Sequence, residues 1–159
     1  MGLSSEQLNQ FWKTAKSRLG QHQCAPISAI MISDVITLSR QSTLQEALQM
    51  FREHNLRHLV VVNNHRHVQG IFTKRDLLAV EKGGLNRSVV TVANSFVRTA
   101  NAETCIREVA QMMLQYKIGC VPIVDHLGDT GKLVGIVTES DFVRAFALTT
   151  QCECGVMNA

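Results

Sequence analysis

Apolar residues along the chain follow two different spacings, which alternate in a regular order. The runs LVVV at residues 59–62 and VPIV at residues 121–124 are short and rich in β-branched residues, so they predict strands rather than helices. Each run is followed by a polar turn and a second apolar run, VQGIF at residues 68–72 or LVGIV at residues 133–137. Each half of the chain therefore contains a predicted hairpin-like pair of strands.

A predicted helix stands on either side of each predicted hairpin. Upstream, apolar side chains recur at i, i+3, i+4 and i+7, at Leu44, Ala47, Leu48 and Phe51 and again at Ile106, Val109, Ala110 and Met113. Ser42 or Thr43 is the N-cap candidate of the first of these helices. Downstream, KRDLLAVEK stops at a Gly-Gly pair, and ESDFVRAFAL runs toward the C-terminus. With the short extended runs DVITL and FVRTA at its start, each unit is predicted to be β-α-β-β-α.

This unit occurs twice. Residues 27–62 align with residues 89–124 without a gap, and after a short insertion GIFTKRD aligns with GIVTESD. A unit of about sixty residues is near the lower limit for burying a sheet face by itself, so the two copies are expected to pack sheet to sheet. We predict an α/β (α+β) fold of tandem repeats with pseudo-two-fold symmetry and a cleft between them, which is the default ligand site. Pro122, which lacks an N–H, is predicted to lie in an edge strand.

The repeats divide the chain into an N-terminal helix with its linker (1–24), repeat 1 (25–86), repeat 2 (87–149) and a C-terminal tail (150–159). The first segment is predicted to be an amphipathic helix that is capped by Ser4 or Ser5 and has Leu8, Phe11, Trp12, Ala15 and Leu19 on one face. Because an isolated helix of this length is marginal in water, that face is expected to dock on the repeats, on a second subunit or on another protein, and the first two are preferred.

Composition narrows the class of protein. With 159 residues, of which 45% are hydrophobic and 18% charged, the chain is predicted to be one globular unit. The net charge of +3 comes from scattered basic residues, which argues against a nucleic-acid partner. No apolar stretch approaches the roughly 18 residues of a membrane span, and the N-terminus lacks the pattern of a signal peptide. We therefore expect a cytoplasmic protein that does not bind membranes.

The cysteines have no framework spacing. There are five, at positions 24, 105, 120, 152 and 154, and this odd number predicts reduced thiols in a reducing compartment. Cys152 and Cys154 would need further partners to complete a metal site, so a tail without metal is the preferred interpretation. His65 and His67 are likewise interpreted as residues of a solvated turn. The chain shows no Walker-type loop and no nucleophile with its base, so no catalytic activity is predicted.

The motif Thr-x-x-Asp stands at the predicted strand-to-helix junction of both repeats, at Thr73/Asp76 and Thr138/Asp141. One interpretation is a capping box, in which the side chains satisfy the free backbone groups of the helix end and no ligand is needed. The other is a binding site, because a carboxylate at a helix N-terminus accepts strong hydrogen bonds from the two hydroxyls of a ribose. Both roles are compatible with one geometry.

The duplicated pattern, with NLRHLVVV or KIGCVPIV followed by GIFTKRD or GIVTESD, resembles the cystathionine β-synthase (CBS) domain pair, also called a Bateman module. The resemblance covers about residues 25–148. It implies that an adenosine-containing ligand such as AMP, ADP, ATP or S-adenosylmethionine lies between the repeats. In such a site the Thr and Asp come from one repeat, and the early strand and the end of the first helix come from the other.

Carried over to this chain, the resemblance implies two unequal sites. The first joins Thr138 and Asp141 to the early segment Val35, Ile36 and Thr37 and to two basic residues, Arg57 and His58. The second joins Thr73 and Asp76 to Val97, Arg98 and Thr99. In this site Gly119 and Cys120 stand where the first site has its basic pair. Lys74 and Arg98 partly compensate for the missing positive charge. Because a guanidinium grips phosphate oxygens bidentately, we expect the first site to take the phosphorylated ligand.

The function expected from this resemblance is a stand-alone, non-catalytic regulatory and energy-sensing module that binds an adenine nucleotide. Family members commonly associate as dimers, which implies a homodimer and a regulated protein partner that the sequence does not identify. The alternative is a ligand-free interaction or dimerisation module, in which the Thr-x-x-Asp motifs are only helix caps.

Overall fold

Two three-stranded sheets, one from each repeat, form the framework of the protein. The computed structural model describes Glu6, Gln10 and residues 24–78, 84–128 and 131–149. In each sheet the central strand pairs with the short first strand of its repeat in parallel. On its other side it pairs with the last strand, its hairpin partner, in antiparallel orientation. The strands are β1 (Thr37–Ser39), β2 (His58–Val62), β3 (Val68–Thr73), β4 (Ala100–Asn101), β5 (Cys120–Val124) and β6 (Leu133–Thr138).

Four α-helices in the described residues complete the two units and confirm the predicted β-α-β-β-α order. They are α1 (Leu44–Glu53), α2 (Lys74–Leu78), α3 (Ile106–Tyr116) and α4 (Glu139–Thr149). Helix α1 begins with a capping box, in which the Glu46 N–H donates to Thr43 Oγ1 at 3.2 Å and the Thr43 N–H donates to Glu46 Oε2 at 2.8 Å. Apart from Glu6 and Gln10, the predicted N-terminal helix lies outside the described residues, and so do the end of the segment KRDLLAVEK and the C-terminal tail.

Each repeat has its own core, but each core is completed by the leading segment of the other repeat, which is the stretch before its first strand. Ile27, Ala29 and Ile30 lie ahead of β1, yet they pack with Val109, Val121 and other residues of repeat 2. The Ile27 N–H donates to Thr104 O at 2.8 Å and fixes this crossing. In the reciprocal crossing, Val89 packs into the core of repeat 1, and its N–H donates to Ser42 O at 2.9 Å. The repeats therefore exchange their leading segments, so each folded core contains residues from both of the sequence ranges 25–86 and 87–149.

A third apolar cluster joins the two repeats and confirms the expected sheet-to-sheet packing. It consists of Val60 and Val62 of β2 with Cys120, Leu133 and Ile136 of β5 and β6. The pseudo-two-fold relation is visible in the backbone: Ile32 and Ile136 exchange two hydrogen bonds, and so do Asn94 and Ile71. The segment leading into each repeat is thus hydrogen-bonded to the last strand of the other.

The prediction of an edge position for Pro122 is wrong, because β5 is the central strand of its sheet. Pro122 is paired with Ile136, whose N–H and C=O bond to Ile32 rather than to β5. The backbone of Pro122 therefore points away from β6 and toward β4, which has two residues and pairs only with Ile123 and Val124. Because β4 is so short, it has no residue opposite Pro122, and the missing N–H costs no hydrogen bond.

The prediction that the cysteines are all reduced is also wrong. Cys24 and Cys105 form a disulfide across 81 residues of sequence, with Cα atoms 5.5 Å apart. The exchange of leading segments causes this pairing, because it places Pro26 in a backbone bridge with Cys105. The cysteines of this chain therefore do not support a reducing compartment, since that expectation rested on reduced thiols. Cys120 is unpaired and buried, and Cys152 and Cys154 lie outside the described residues.

Removing this disulfide is expected to lower the free energy of unfolding by about 2 to 4 kcal/mol, because the bond closes a long loop in the unfolded chain. Urea unfolding of the wild type with and without reductant measures the effect. The Cys24→Ser/Cys105→Ser variant should show the same loss and no response to reductant. An unchanged wild-type midpoint in reductant would contradict the bond.

Candidate functional site

A cavity of about 250 Å³ lies between the repeats. Repeat 1 contributes the segment before β1 and the turn after α1, and repeat 2 contributes β6 and the first turns of α4. The lining residues are Ile32, Asp34, Val35, Ile36, Asn55, Leu56, Arg57, His58, Ile136, Thr138, Ser140, Asp141 and Arg144. The cavity thus brings together the residues predicted for the first site except Thr37, which begins β1 just beyond the lining.

Backbone contacts explain how the two walls meet. The reciprocal hydrogen bonds between Ile32 and Ile136, 2.8 and 2.9 Å long, attach the segment before β1 to β6. On the other side, the chain leaves α1 through Asn55, whose φ of 50° lies in the left-handed region that asparagine tolerates. That turn leads directly to Arg57 and to His58, the first residue of β2. Residues far apart in sequence therefore face one space.

Asp141 is the charged side chain buried at this cavity, with 4% of its surface exposed. Its Oδ2 atom accepts two hydrogen bonds from Thr138, at 2.8 Å from the N–H and 2.7 Å from the hydroxyl. Its Oδ1 atom accepts one from Arg144 Nη1 at 3.3 Å. Burying a carboxylate is costly unless it is paired and hydrogen-bonded, so these contacts are what holds it at the wall.

The same contact occurs in repeat 1, where Asp76 Oδ2 accepts from the Thr73 N–H and hydroxyl, both at 2.7 Å. The Asp76 N–H also donates to Thr73 Oγ1 at 3.3 Å, so the capping interpretation is realised locally. In both repeats the cap uses one oxygen, Oδ2. The cap therefore orients the carboxylate without consuming its second oxygen.

The basic wall of the cavity comes from repeat 1. Arg57 Nη2 donates to Ser140 Oγ at 2.6 Å, which links the end of α1 to the start of α4 across the cleft. His58 lies against Gly119, and a Cβ atom on that glycine would stand 3.0 Å from His58 Nε2. Burial lowers the pKa of His58 below its usual 6.5, and the nearby Arg57 lowers it further, against an opposing effect of Glu139.

His58 is expected to make the protein less stable as the pH falls from 6.5. Since its folded-state pKa is lowered, the unfolded chain takes up the proton first, and stability is lost from 6.5 down to the folded-state pKa. Urea unfolding between about pH 5 and 7.5 should show a weaker pH dependence in His58→Gln than in the wild type. His65→Gln, in the exposed turn between β2 and β3, is the control and should keep the wild-type profile. Identical profiles for wild type and His58→Gln would contradict this prediction.

The two cations predicted for the second site lie against aromatic rings. The Arg98 guanidinium stacks over the Tyr116 ring, 4.2 Å from its centroid, and Lys74 Nζ lies 6.0 Å from the centroid of Phe51. At the position that matches His58, burial raises the pKa of the Cys120 thiol to about 12, with a smaller contribution from Glu139. A neutral thiol thus replaces an imidazole.

Sequence reasoning missed four polar residues of the cavity: Asp34, Asn55, Ser140 and Arg144. All four had a visible signal: Ser140 lies inside GIVTESD, Arg144 follows Asp141 at i+3 on a predicted helix, and Asp34 and Asn55 begin the runs DVITL and NLRHLVVV. These runs do not show which of their side chains face the cavity, because the packing of the two repeats decides that. Ile32 and Ile136 were also missed for that reason.

Among the described residues, no group of three or more His, Cys, Asp or Glu side chains is arranged to hold a metal ion. His65 and His67 lie between β2 and β3 with ring centroids 5.9 Å apart; His65 is exposed as expected, whereas His67 is half-buried and forms a backbone bridge with Lys132. None of the described helices is both long and apolar enough to cross a bilayer.

Comparisons with known proteins match this architecture. The model of the CBS domain matches residues 27–83 and 86–148. The chain is 34% identical over 113 residues to an inosine-5'-monophosphate dehydrogenase of Korarchaeum cryptofilum, a match that covers 71% of this chain and 22% of the dehydrogenase. It therefore spans less than a quarter of that relative's length.

Solved structures agree. The CBS domain pair of protein MJ0100, in complex with 5'-methylthioadenosine and S-adenosyl-L-methionine, superposes with a TM-score of 0.71 at 27% identity, covering 80% of this chain and 100% of that one. A conserved protein from Pyrococcus horikoshii superposes with a TM-score of 0.65 at 30% identity, covering 77% and 92%. The two sequence repeats, the exchanged leading segments and the cavity between them are those of a tandem pair, and the chain belongs to the CBS domain family.

Proposed function

We propose that this protein binds an adenine nucleotide, such as AMP, ADP or ATP, in the cavity between its repeats and acts as a non-catalytic regulatory module. One observation carries the proposal: a buried carboxylate, Asp141, stands at the wall of a cavity whose opposite wall carries Arg57 and His58. The cap holds Oδ2, while Oδ1 is paired only with the exposed Arg144 among the described contacts. S-adenosylmethionine, which shares the adenosine part, is the alternative ligand.

Each wall has a role in this proposal. Val35, Ile36 and Ile136 offer apolar surface to the base, and Asp141 accepts hydrogen bonds from the ribose hydroxyls. Arg57 and His58 bind the phosphate, with the N-terminal end of α4 beside them. A volume of about 250 Å³ is slightly below the roughly 300 Å³ at which small-molecule sites begin, so the compact adenosine part fills it and further phosphates extend toward solvent.

The ligands of the MJ0100 domain pair support the adenosine part of this proposal. Both 5'-methylthioadenosine and S-adenosyl-L-methionine carry an adenosine, and that domain pair is 27% identical to this chain over its full length. They do not carry a phosphate. The preference for a phosphorylated ligand therefore rests on the guanidinium charge of Arg57 and on a hydrogen bond from the imidazole of His58.

The regulatory part follows from the position of the cavity. A ligand that touches both repeats favours the relative arrangement of the repeats that it binds more tightly, and the population shifts by that difference in affinity. The change would be passed to a second copy of the chain in a homodimer or to a regulated protein partner. Thr73, Asp76, Lys74 and Arg98 form the weaker second site in this scheme.

A ligand-free interaction module is the second candidate, and the internal caps favour it. Thr73 with Asp76 and Thr138 with Asp141 make the same pair of hydrogen bonds to Oδ2 without any ligand, and in repeat 1 the Asp76 N–H also donates to Thr73 Oγ1. Such caps are worth about 1 kcal/mol each, which is enough to account for the motif on stability alone.

Thermal unfolding in the presence of AMP, ADP, ATP, S-adenosylmethionine and NAD separates the two candidates. We expect the adenine nucleotides to raise the melting temperature progressively with concentration, because a ligand that binds only the folded state stabilises it by mass action. A free-energy gain of about 2.7 kcal/mol is expected at a hundredfold excess over Kd. The absence of any shift with all five compounds would leave the ligand-free module. Incubation with ATP and analysis of the products tests the absence of turnover.

A further inference from the structure

Arg144 occupies the oxygen of Asp141 that a ribose would need. Arg144 lies on α4 one turn after Asp141, and its Nη1 donates to Oδ1 at 3.3 Å. The other oxygen, Oδ2, already accepts two hydrogen bonds from Thr138. Any sugar hydroxyl that donates to Oδ1 must therefore displace the guanidinium or share the oxygen with it.

The arginine is well suited to be displaced. Its side chain is 59% exposed, whereas that of Asp141 is 3% exposed, so the arginine moves into water at little cost while the carboxylate stays in place. The contact of 3.3 Å is also longer than the roughly 2.7 to 2.9 Å of strong charge-assisted hydrogen bonds. The pair shields the buried carboxylate without locking it.

Arg144 is one of the residues that line the cavity, which keeps its guanidinium within reach of a bound ligand after it leaves Oδ1. Arg57 approaches the same region from repeat 1, where it donates to Ser140, four residues before Arg144. Two guanidinium groups, one from each repeat, therefore flank the region next to the carboxylate. The sequence of repeat 1 has Ala79 at the position that corresponds to Arg144, so only one of the two motifs carries this arginine.

We propose that Arg144 is a specificity-determining residue, which makes tight ribose binding depend on an anionic group attached to the sugar. A neutral nucleoside has to break the contact between Asp141 and Arg144, and it offers the released guanidinium no anion in return. A nucleotide breaks the same contact and then provides phosphate oxygens to the released guanidinium, which binds them bidentately. This inference rests on the proposed function and deepens it.

The test compares adenosine with AMP in Arg144→Ala, which gives repeat 2 the residue type that repeat 1 carries. Isothermal titration calorimetry at one ionic strength should show adenosine binding about three- to tenfold more tightly than to the wild type, because the competitor is gone. AMP should bind about tenfold more weakly, because one charge-assisted contact is lost. The preference for AMP over adenosine therefore falls by about thirtyfold or more.

Two further variants serve as controls. Arg107→Ala removes the same charge from an exposed position on α3, outside the cavity lining, and should keep the wild-type preference. Arg144→Lys keeps the charge without the planar fork and should give an intermediate preference. Melting temperatures without ligand establish that each variant is folded.

The outcomes separate this inference from the proposed function. Opposite changes for the two ligands in Arg144→Ala support it. An unchanged preference, or weaker binding of both ligands by the same factor, overturns it while the proposed function stands. If the wild type binds neither AMP nor adenosine, the proposed function fails and takes this inference with it.

Discussion

Asp141→Asn is expected to weaken binding of AMP by about 30- to 1,000-fold, the largest functional effect of any single substitution in the cavity. The asparagine oxygen still accepts from the Thr138 N–H and hydroxyl, as Oδ2 does now. The amide NH₂ then stands where Oδ1 was, so a hydrogen-bond donor replaces an ionised acceptor. The loss follows because hydrogen bonds to a charged group are worth about 1.5 to 3 kcal/mol, against about 1 kcal/mol for neutral ones.

Asp76→Asn is the matched control, because Asp76 makes the same two contacts with Thr73 that Asp141 makes with Thr138. Both substitutions change the charge and the cap equally, and only one lies at the cavity that carries Arg57 and His58. Calorimetric titration of AMP and ATP into the two variants measures the difference. Loss of the tighter binding event in Asp76→Asn alone would contradict the proposed asymmetry of the two sites.

Phe51→Ala is expected to have the largest effect on stability, lowering the free energy of unfolding by about 3 to 5 kcal/mol. The Phe51 side chain is 1% exposed in the core of repeat 1 and stacks on Phe72 with ring centroids 5.8 Å apart. Truncation removes buried apolar surface and leaves a cavity between α1 and the sheet. The melting temperature should fall by about 6 to 20 °C for a chain of this length.

Leu114→Ala on α3 is the control for this prediction, since its side chain is 80% exposed. A substitution of this kind on the surface is expected to change the free energy of unfolding by no more than about 0.5 kcal/mol. Urea and thermal unfolding, followed by circular dichroism, measure both variants. Equal losses for the two would show that Phe51 does not have the core position described above.

The elements that were predicted correctly depend on near neighbours in sequence. The spacing of Leu44, Ala47 and Phe51 identifies the buried face of α1, and all three are buried. Thr43 and Glu46 form the capping box because the two residues stand three apart at a helix start. The Thr138 and Asp141 contact was expected on the same grounds. Periodicity and cap spacing are local properties, so they can be recognised without knowing the fold.

The predictions that failed depend on strand order and chain crossing. Pro122 was predicted at an edge because it lacks an N–H, and nothing in its own strand indicates how short the neighbouring β4 is. The bond between Cys24 and Cys105 was missed because nothing in the spacing of the cysteines indicates that the leading segment of repeat 1 packs on repeat 2. Both errors concern residues that become neighbours only after the two repeats have packed.

The sequence by itself determined the duplicated β-α-β-β-α unit, its helix caps and the position of a carboxylate at each strand-to-helix junction, because all of these follow from residues within a few positions of one another. The packing of the two repeats decided which residues share the cavity with that carboxylate, and among the sequence arguments only the family resemblance placed Arg57 and His58 there. Ile32 meets Ile136 because the leading segments cross, and Arg57 meets Ser140 because the repeats pack against each other. Burial and hydrogen bonding across such a crossing depend on the packing of both units, which no local pattern encodes.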